Sequence, residues 1–257
     1  MPANRLGEFL RAHRDSAQPG VQEPSRRRRT PGLRREEVAA RATISTDYYT
    51  RLEQGRERHP SGQVLDALAA ALELSAAETR YLHELVAPTT GTPRARRTGA
   101  AAVPNEFLLE VMDSWALGPA YVINHRTDVL ARNAQARDFA ELFEISDNIL
   151  RMVFLDPTAQ RIWLNWEVFT SFFVGGIRRM IGPLVDDDPS VAALIAELRA
   201  GSDAFALLWD SHQIGEHDHI EKNIRRSERD EVRLDFKLLM AIDDPGQFVV
   251  LHRAAQS

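Results

Sequence analysis

Apolar residues recur at helical spacing through the first 86 residues of this chain. From residue 104 onward, helical spacing alternates with stretches in which every other residue is apolar. Leu6, Phe9 and Leu10 mark a first helix over 4–14. Val38 and Ala39 mark a second over 34–41, and Tyr49 and Leu52 a third over 46–54. Val64, Leu65, Leu68 and Leu72 predict a helix to residue 72, and Tyr81, Leu82 and Leu85 one over 76–86. Residues 88–103 carry Pro, Gly and Thr without apolar periodicity and read as a linker. Beyond it the pattern predicts a helix over 104–115, strands over 120–124 and 128–132, and helices over 133–143, 148–154, 157–181 and 189–212, the last with Gly201 as a place where it can break. Three strands follow, over 214–223, 231–242 and 247–252. The expected architecture is an all-α unit of five helices over 1–87 and an α+β unit over 104–257. The second unit should carry a five-stranded antiparallel sheet with its helices on one face.

The second and third helices lie too close together for an ordinary connection. Only Ala42, Thr43 and Ile44 separate them, followed by Ser45, a residue suited to capping the next helix. Val38, Ala39, Ile44, Tyr49 and Leu52 share one inward seam, and Ala39 is small enough for the third helix to cross closely over it. Thr46, Asp47, Tyr48, Thr50, Arg51 and Gln54 face outward. Short donors and acceptors, an aromatic ring and a guanidinium on one helix are the equipment for reading base edges in a major groove. A helical hairpin with a solvated polar face is the alternative. The surrounding arginines favour the first reading: Arg26 to Arg29, of which Arg28 and Arg29 lie nearest the helices, then Arg34, Arg35 and Arg56, can all meet phosphates.

Charge divides the chain in the same way. Residues 1–90 hold 14 Arg against 12 acidic residues, and 91–103 add three Arg. Residues 104–257 hold 15 basic against 25 acidic residues, which excludes that half as a general nucleic-acid binder. All but two of the 32 basic residues are arginine, the exceptions being Lys222 and Lys237. Cysteine is absent, which removes thiolate metal sites and a cysteine nucleophile and fits a reducing compartment. No apolar run approaches a membrane span, and MPANRLGEFLR does not read as a signal peptide, so a cytoplasmic protein is expected. Nucleophile elbow, phosphate loop and metal-hydrolase helix are all missing, so the expected function is not enzymatic.

RRRRTPGLRREEVA, STDYYTRLEQGR and PSGQVLDALAAAL resemble the DNA-binding half of XRE-type helix-turn-helix regulators that carry a C-terminal MmyB-like domain. VLARNAQA, NILRMVFLDPTAQRIWLNWE, AFALLWDSH and DDPGQFVVLHRA resemble that second domain, so the likeness covers nearly the whole chain. It implies a PAS-like fold holding a small hydrophobic ligand such as a fatty acid. The sequence departs from the family at two places. Thr43 stands where glycine is usual, at a turn position expected to need positive φ, and Arg226 to Glu231 replace the usual His-Pro-x-x-Gly lead-in.

Two clusters remain. Trp163, Trp166, Phe169, Phe172 and Phe173 crowd one helix, either as core or as the wall of a pocket closed by Trp209. Arg161, Arg178, His212 and the indoles are then candidates to hold a carboxylate, unless Arg161 simply pairs with Asp156. His212, His217 and His219 offer a different alternative, a metal-responsive regulator; solvated histidines are the plainer account, and no metal is expected. The reading is a homodimeric regulator that binds a palindromic double-stranded operator and a hydrophobic effector, with no cofactor and no membrane contact. A second domain that only dimerises is the remaining alternative.

Overall fold

The computed structural model describes residues 4–17, 32–86, 103–182, 185, 188–212, 221–228, 230–240 and 246–255. The chain divides into two compact units. One is Met1–Thr90 with Leu208–Glu216, the other Gly91–Leu207 with His217–Ser257.

The first unit contains α1 (Arg5–Ser16), α2 (Arg35–Arg41), α3 (Thr46–Glu53), α4 (Gly62–Ala71) and α5 (Ala76–Val86). Its core brings Phe9 and Leu10 against Val38, Tyr49, Leu52, Leu68 and Leu82. The helix starts are set by side-chain caps: the Ser45 hydroxyl, as expected, accepts from Tyr48 N–H, and the Ser61 hydroxyl accepts from Val64 N–H. Ser75 and Glu78 exchange hydrogen bonds as a capping box at the start of α5.

The α2–α3 connection is a Schellman turn. Thr43 N–H donates to Ala40 O and Ile44 N–H to Ala39 O, which puts Thr43 in the left-handed region at φ 56°. A β-branched residue there costs about 1 kcal/mol or more. The same turn ends α3, where Gly55 supplies the positive φ without that cost. Ala39 lies fully within the core beneath α3, and Gly7 lets α1 approach the same helix, since a Cβ there would stand 2.1 Å from Glu53 O.

A buried ion network locks these helices. Glu53, at 0% exposure, accepts 2.6 Å hydrogen bonds from Arg14 Nε on α1 and Arg35 Nε on α2. Arg14 also donates to Leu33 O. Burial alone would push the Glu53 carboxyl up, but the two guanidiniums outweigh it and hold the group below its ordinary range.

The second unit opens with α6 (Glu106–Ser114), then β1 (Ala120–Asn124), β2 (Val129–Arg132), α7 (Ala134–Ala140) and α8 (Ile149–Phe154). There follow α9 (Ala159–Ile162), α10 (Trp166–Ile181), α11 (Pro189–Gly201) and α12 (Asp203–Asp210), then β3 (Lys222–Ser227), β4 (Asp230–Met240) and β5 (Gln247–Ala254). The five strands form one antiparallel sheet in the order β2-β1-β5-β4-β3. The expected fold class holds, with two differences.

The helices do not share one face. Leu108 and Met112 of α6 pack on Ala120, Val122, Val249 and Leu251, while the opposite face carries Phe236 against Phe169 and Phe172 of α10. Strand alternation makes both faces apolar, so both need cover.

The expected helix over 157–181 is broken. Trp163 turns extended after α9 and bridges to Ile224 on β3, and Leu164 N–H donates to Asn223 O. The Asn165 amide completes the break, donating from Nδ2 to Glu221 O and accepting at Oδ1 from Asn223 N–H. An edge strand needs its free backbone groups covered, and this segment covers them. The expected helix over 189–212 also breaks, at Ser202, whose hydroxyl caps α12 by accepting from Phe205 N–H.

Glu53→Gln removes the charge that both guanidiniums require while leaving them buried. We expect it to lower the stability of the helical unit by about 3 kcal/mol. A carboxyl held below its ordinary pKa contributes stability above that value and loses it as pH falls. The acid limb of a thermal-melt series should therefore flatten in the variant, and an unchanged midpoint and limb would contradict the network's role.

Candidate functional site

Two surfaces qualify, one in each unit. On α3, Thr46, Asp47, Arg51 and Gln54 are exposed, with Tyr48 and Thr50 half-exposed and Ser45 exposed at the cap. Thr50 spends its hydroxyl on Thr46 O. Asp47 and Arg51 form an i,i+4 ion pair, and the Arg51 guanidinium stands 5.6 Å from the centre of the Tyr48 ring. Arg51 is thereby held along the helix surface, and a base edge would have to compete with Asp47 for it.

The flanking arginines differ in their freedom. Arg34 and Arg56 are exposed, and Arg34 lies against Glu36. Arg35 is exposed but its Nε is committed to Glu53, so it is first a structural partner of α3. Arg28 and Arg29 lie outside the described residues.

The second surface lies on the sheet face opposite α6. Lys222 opens β3 at 7% exposure, and its ammonium stands 4.4 Å from the centre of the Phe236 ring, 5.1 Å from Phe169 and 5.9 Å from Trp163. Its polar partner among the described residues is His252 Nε2 at 3.0 Å. The tautomer follows from the other ring nitrogen. Nδ1 faces Pro119 O at 3.1 Å and must donate there, which leaves a lone pair on Nε2 for the lysine.

No carboxylate among the described residues pairs with Lys222. Glu221 turns to Arg233, and Asp235, on the other face of β4, to Arg253. Burial pushes the Lys222 amine down to about 7, and burial together with Lys222 holds His252 well below the ordinary imidazole range. Beside the amine, the Trp163 indole N–H is buried without a hydrogen-bond partner among the described residues.

The expected ligand residues are dispersed. Trp163 and Phe169 stand at this cluster in edge-to-face contact 4.6 Å apart, and Phe173 stacks on Phe169. Trp166 points elsewhere, donating its indole N–H to Val153 O. Arg161 is exposed on α9 and does not reach the cluster; nor does it pair with Asp156, which instead accepts from Thr158 and Ile145 N–H. Arg178 is buried on α10. Trp209 is buried near the end of α12, and His212 lies two residues beyond that helix. His217 and His219 lie outside the described residues, and no group of three metal-ligating side chains occurs among the described ones.

Lys222, His252 and Phe236 are the site residues that sequence reasoning passed over. The signal existed: a rare lysine alternates with Ile224, placing both on the same strand face.

The model of the MmyB-like transcription regulator ligand-binding domain matches residues 104–257. The chain belongs to that family. A helix-turn-helix domain model matches residues 5–82, so this MmyB-like protein joins a DNA-binding domain to a ligand-binding domain, the composition of a ligand-responsive transcription regulator. No curated protein matches the chain. Among the described residues, no helix of this regulator is long and apolar enough to cross a membrane.

A lysine whose pKa is lowered on folding costs stability fully below that pKa, and the cost fades as pH rises to the ordinary value. For Lys222 the window runs from about 7 to 10.5. Lys222→Met should therefore stabilise the ligand-free regulator by on the order of 3 kcal/mol at pH 7. The gain should shrink as pH approaches 10, which melts of the two proteins across that range would check.

Proposed function

We propose that this MmyB-like regulator is a cytoplasmic XRE-type homodimer that reads a palindromic operator with α3 and binds a small hydrophobic effector, such as a fatty acid, in a PAS-like second domain. One observation supports the effector most directly: the sheet face opposite α6 is built from Phe169, Phe172, Phe173 and Phe236 around a lysine without an acidic partner among the described residues. A domain that only dimerised would gain nothing from a buried, unbalanced lysine, since an aliphatic side chain packs there at lower cost.

The small size of the reading surface supports dimerisation. One helix of eight residues offers few base contacts, and two half-sites related by a two-fold axis multiply the affinity. Effector control requires only that the ligand bind one arrangement of the paired reading heads more tightly than another.

Thr46→Ala with Arg51→Ala removes a hydroxyl and a guanidinium from α3 without touching its core. Operator affinity should fall by tenfold or more while non-specific binding to unrelated duplex changes little, as read by fluorescence anisotropy; retained specificity would remove α3 as the reading helix. Native mass spectrometry of the purified protein, followed by organic extraction, tests the effector. We expect a co-purifying amphiphile or saturable uptake of an added one, and a second domain that stays empty under titration would sink the reading.

A further inference from the structure

One helix is too narrow for the sheet face on which α6 lies. Strands stand about 4.8 Å apart, so five of them spread over roughly 20 Å, while a helix with its side chains is about 10 Å across. Accordingly α6 packs on Ala120 and Val122 of β1 and on Val249 and Leu251 of β5. Beside it the same face continues onto β4. Leu239 lies opposite Val249 and Lys237 opposite Leu251, so both project to the α6 side, and both are exposed.

The helix is left incomplete in the same way. Phe107 of α6 is 67% exposed, and Leu239 is 48% exposed. Glu110 and Ser114, also exposed, continue the Phe107 stripe at helical spacing. A solvated sheet face accounts for a lysine on β4, but it does not call for a phenylalanine and a leucine standing in water.

Charge says what would cover them. Glu106, Glu110 and Asp113 are the charged residues of α6, all acidic, and none has an ion-pair partner among the described residues. On the open half of the sheet, Arg225, Arg233 and Arg253 are paired within the chain, to Glu231, Glu221 and Asp235. Lys237 has no acidic partner among the described residues. An unmatched acid beside an exposed ring, and an unmatched base beside an exposed leucine, therefore stand on one face of one unit. A two-fold contact asks for just that, because the same patch must serve on both copies.

We propose that this patch joins two copies of the chain: α6 of each copy lies on the open β4 half of the other's sheet, with Phe107 against the partner's Leu239 and Glu110 against the partner's Lys237. The proposal rests on the reading above that the regulator is a homodimer, and it names where the copies meet. A second copy is the fitting occupant because the patch itself supplies both members of each pair.

The test is made on the full-length protein by analytical ultracentrifugation over a dilution series. Glu110→Lys and Lys237→Glu each bring like charges together at both symmetry-related contacts, and each should raise the dissociation constant of the dimer at least about tenfold. Phe107→Ser, which removes the ring from the middle of the patch, should do the same. Mixed in equal amounts, the two charge variants should recover the dimer, since both contacts of the mixed pair again join opposite charges. That recovery also shows that neither variant has merely lost its fold.

A native dimer that is indifferent to all three substitutions, or charge variants that stay apart on mixing, overturns this surface while leaving dimerisation standing. A native protein that remains monomeric at micromolar concentration, with and without DNA, overturns the dimer and this surface with it, and leaves a different protein as the occupant of the patch.

Discussion

A polar group withdrawn from water must find its partners inside the protein, and each unit of this regulator is arranged around one group for which that demand is severe. In the helical unit it is Glu53, a carboxylate with no exposure, satisfied from two sides by Arg14 and Arg35. The three residues belong to three different helices, so the carboxylate holds α3 in one position against both its neighbours. Apolar packing alone is less particular, because Leu52 and Tyr49 could tolerate small rotations of α3 that a hydrogen-bonded carboxylate could not.

In the sheet unit the corresponding group is Lys222, and there the demand is met only in part. His252 supplies one acceptor, and its own orientation is held by Pro119 O and by the Tyr121 and Phe236 rings beside it. The contrast between the units is instructive. Glu53 is closed off with two opposite charges, as suits a scaffold, whereas Lys222 has none among the described residues, as suits a place where something is to be received. The two faces of the sheet differ likewise: the α6 side is an aliphatic seam, the other a set of aromatic rings around an amine.

Much of this could be read from the sequence wherever local chemistry decides. Ser45 and Ser61 cap where a hydroxyl ahead of an apolar stripe says they should, and Thr43 adopts the positive φ that its position in a three-residue connection demands. Four strands fell close to their predicted places because alternation is a two-residue signal, whereas the one expected over 214–223 runs Lys222–Ser227. What escaped were features set by distant partners. Trp163 to Asn165 lie inside a continuous helical periodicity, and only the need of β3 for cover on its free edge turns them out of the helix. Glu53 sits among the polar residues of α3, and nothing local distinguishes a buried carboxylate from a solvated one. Lys222 stood out by composition but lay where the predicted strand ended, so its face was not assigned.

The order of the strands has a consequence in time. β5 lies between β1 and β4, so the β1–β2 and β3–β4 hairpins stay unjoined until the last strand arrives, and contacts such as Asn105 N–H to Gln247 Oε1 close loops of 142 residues. Pairings of that span are slow to form, while the helices of the first unit find most of their partners nearby. During synthesis the DNA-reading helices can be in place while the sheet is still incomplete, with its aromatic face uncovered and its edges unpaired. A ligand that settles on that face would then do more than signal. It would speed the closing of the slow unit or hold it shut, so that the abundance of folded regulator, as well as its activity, would follow the supply of effector.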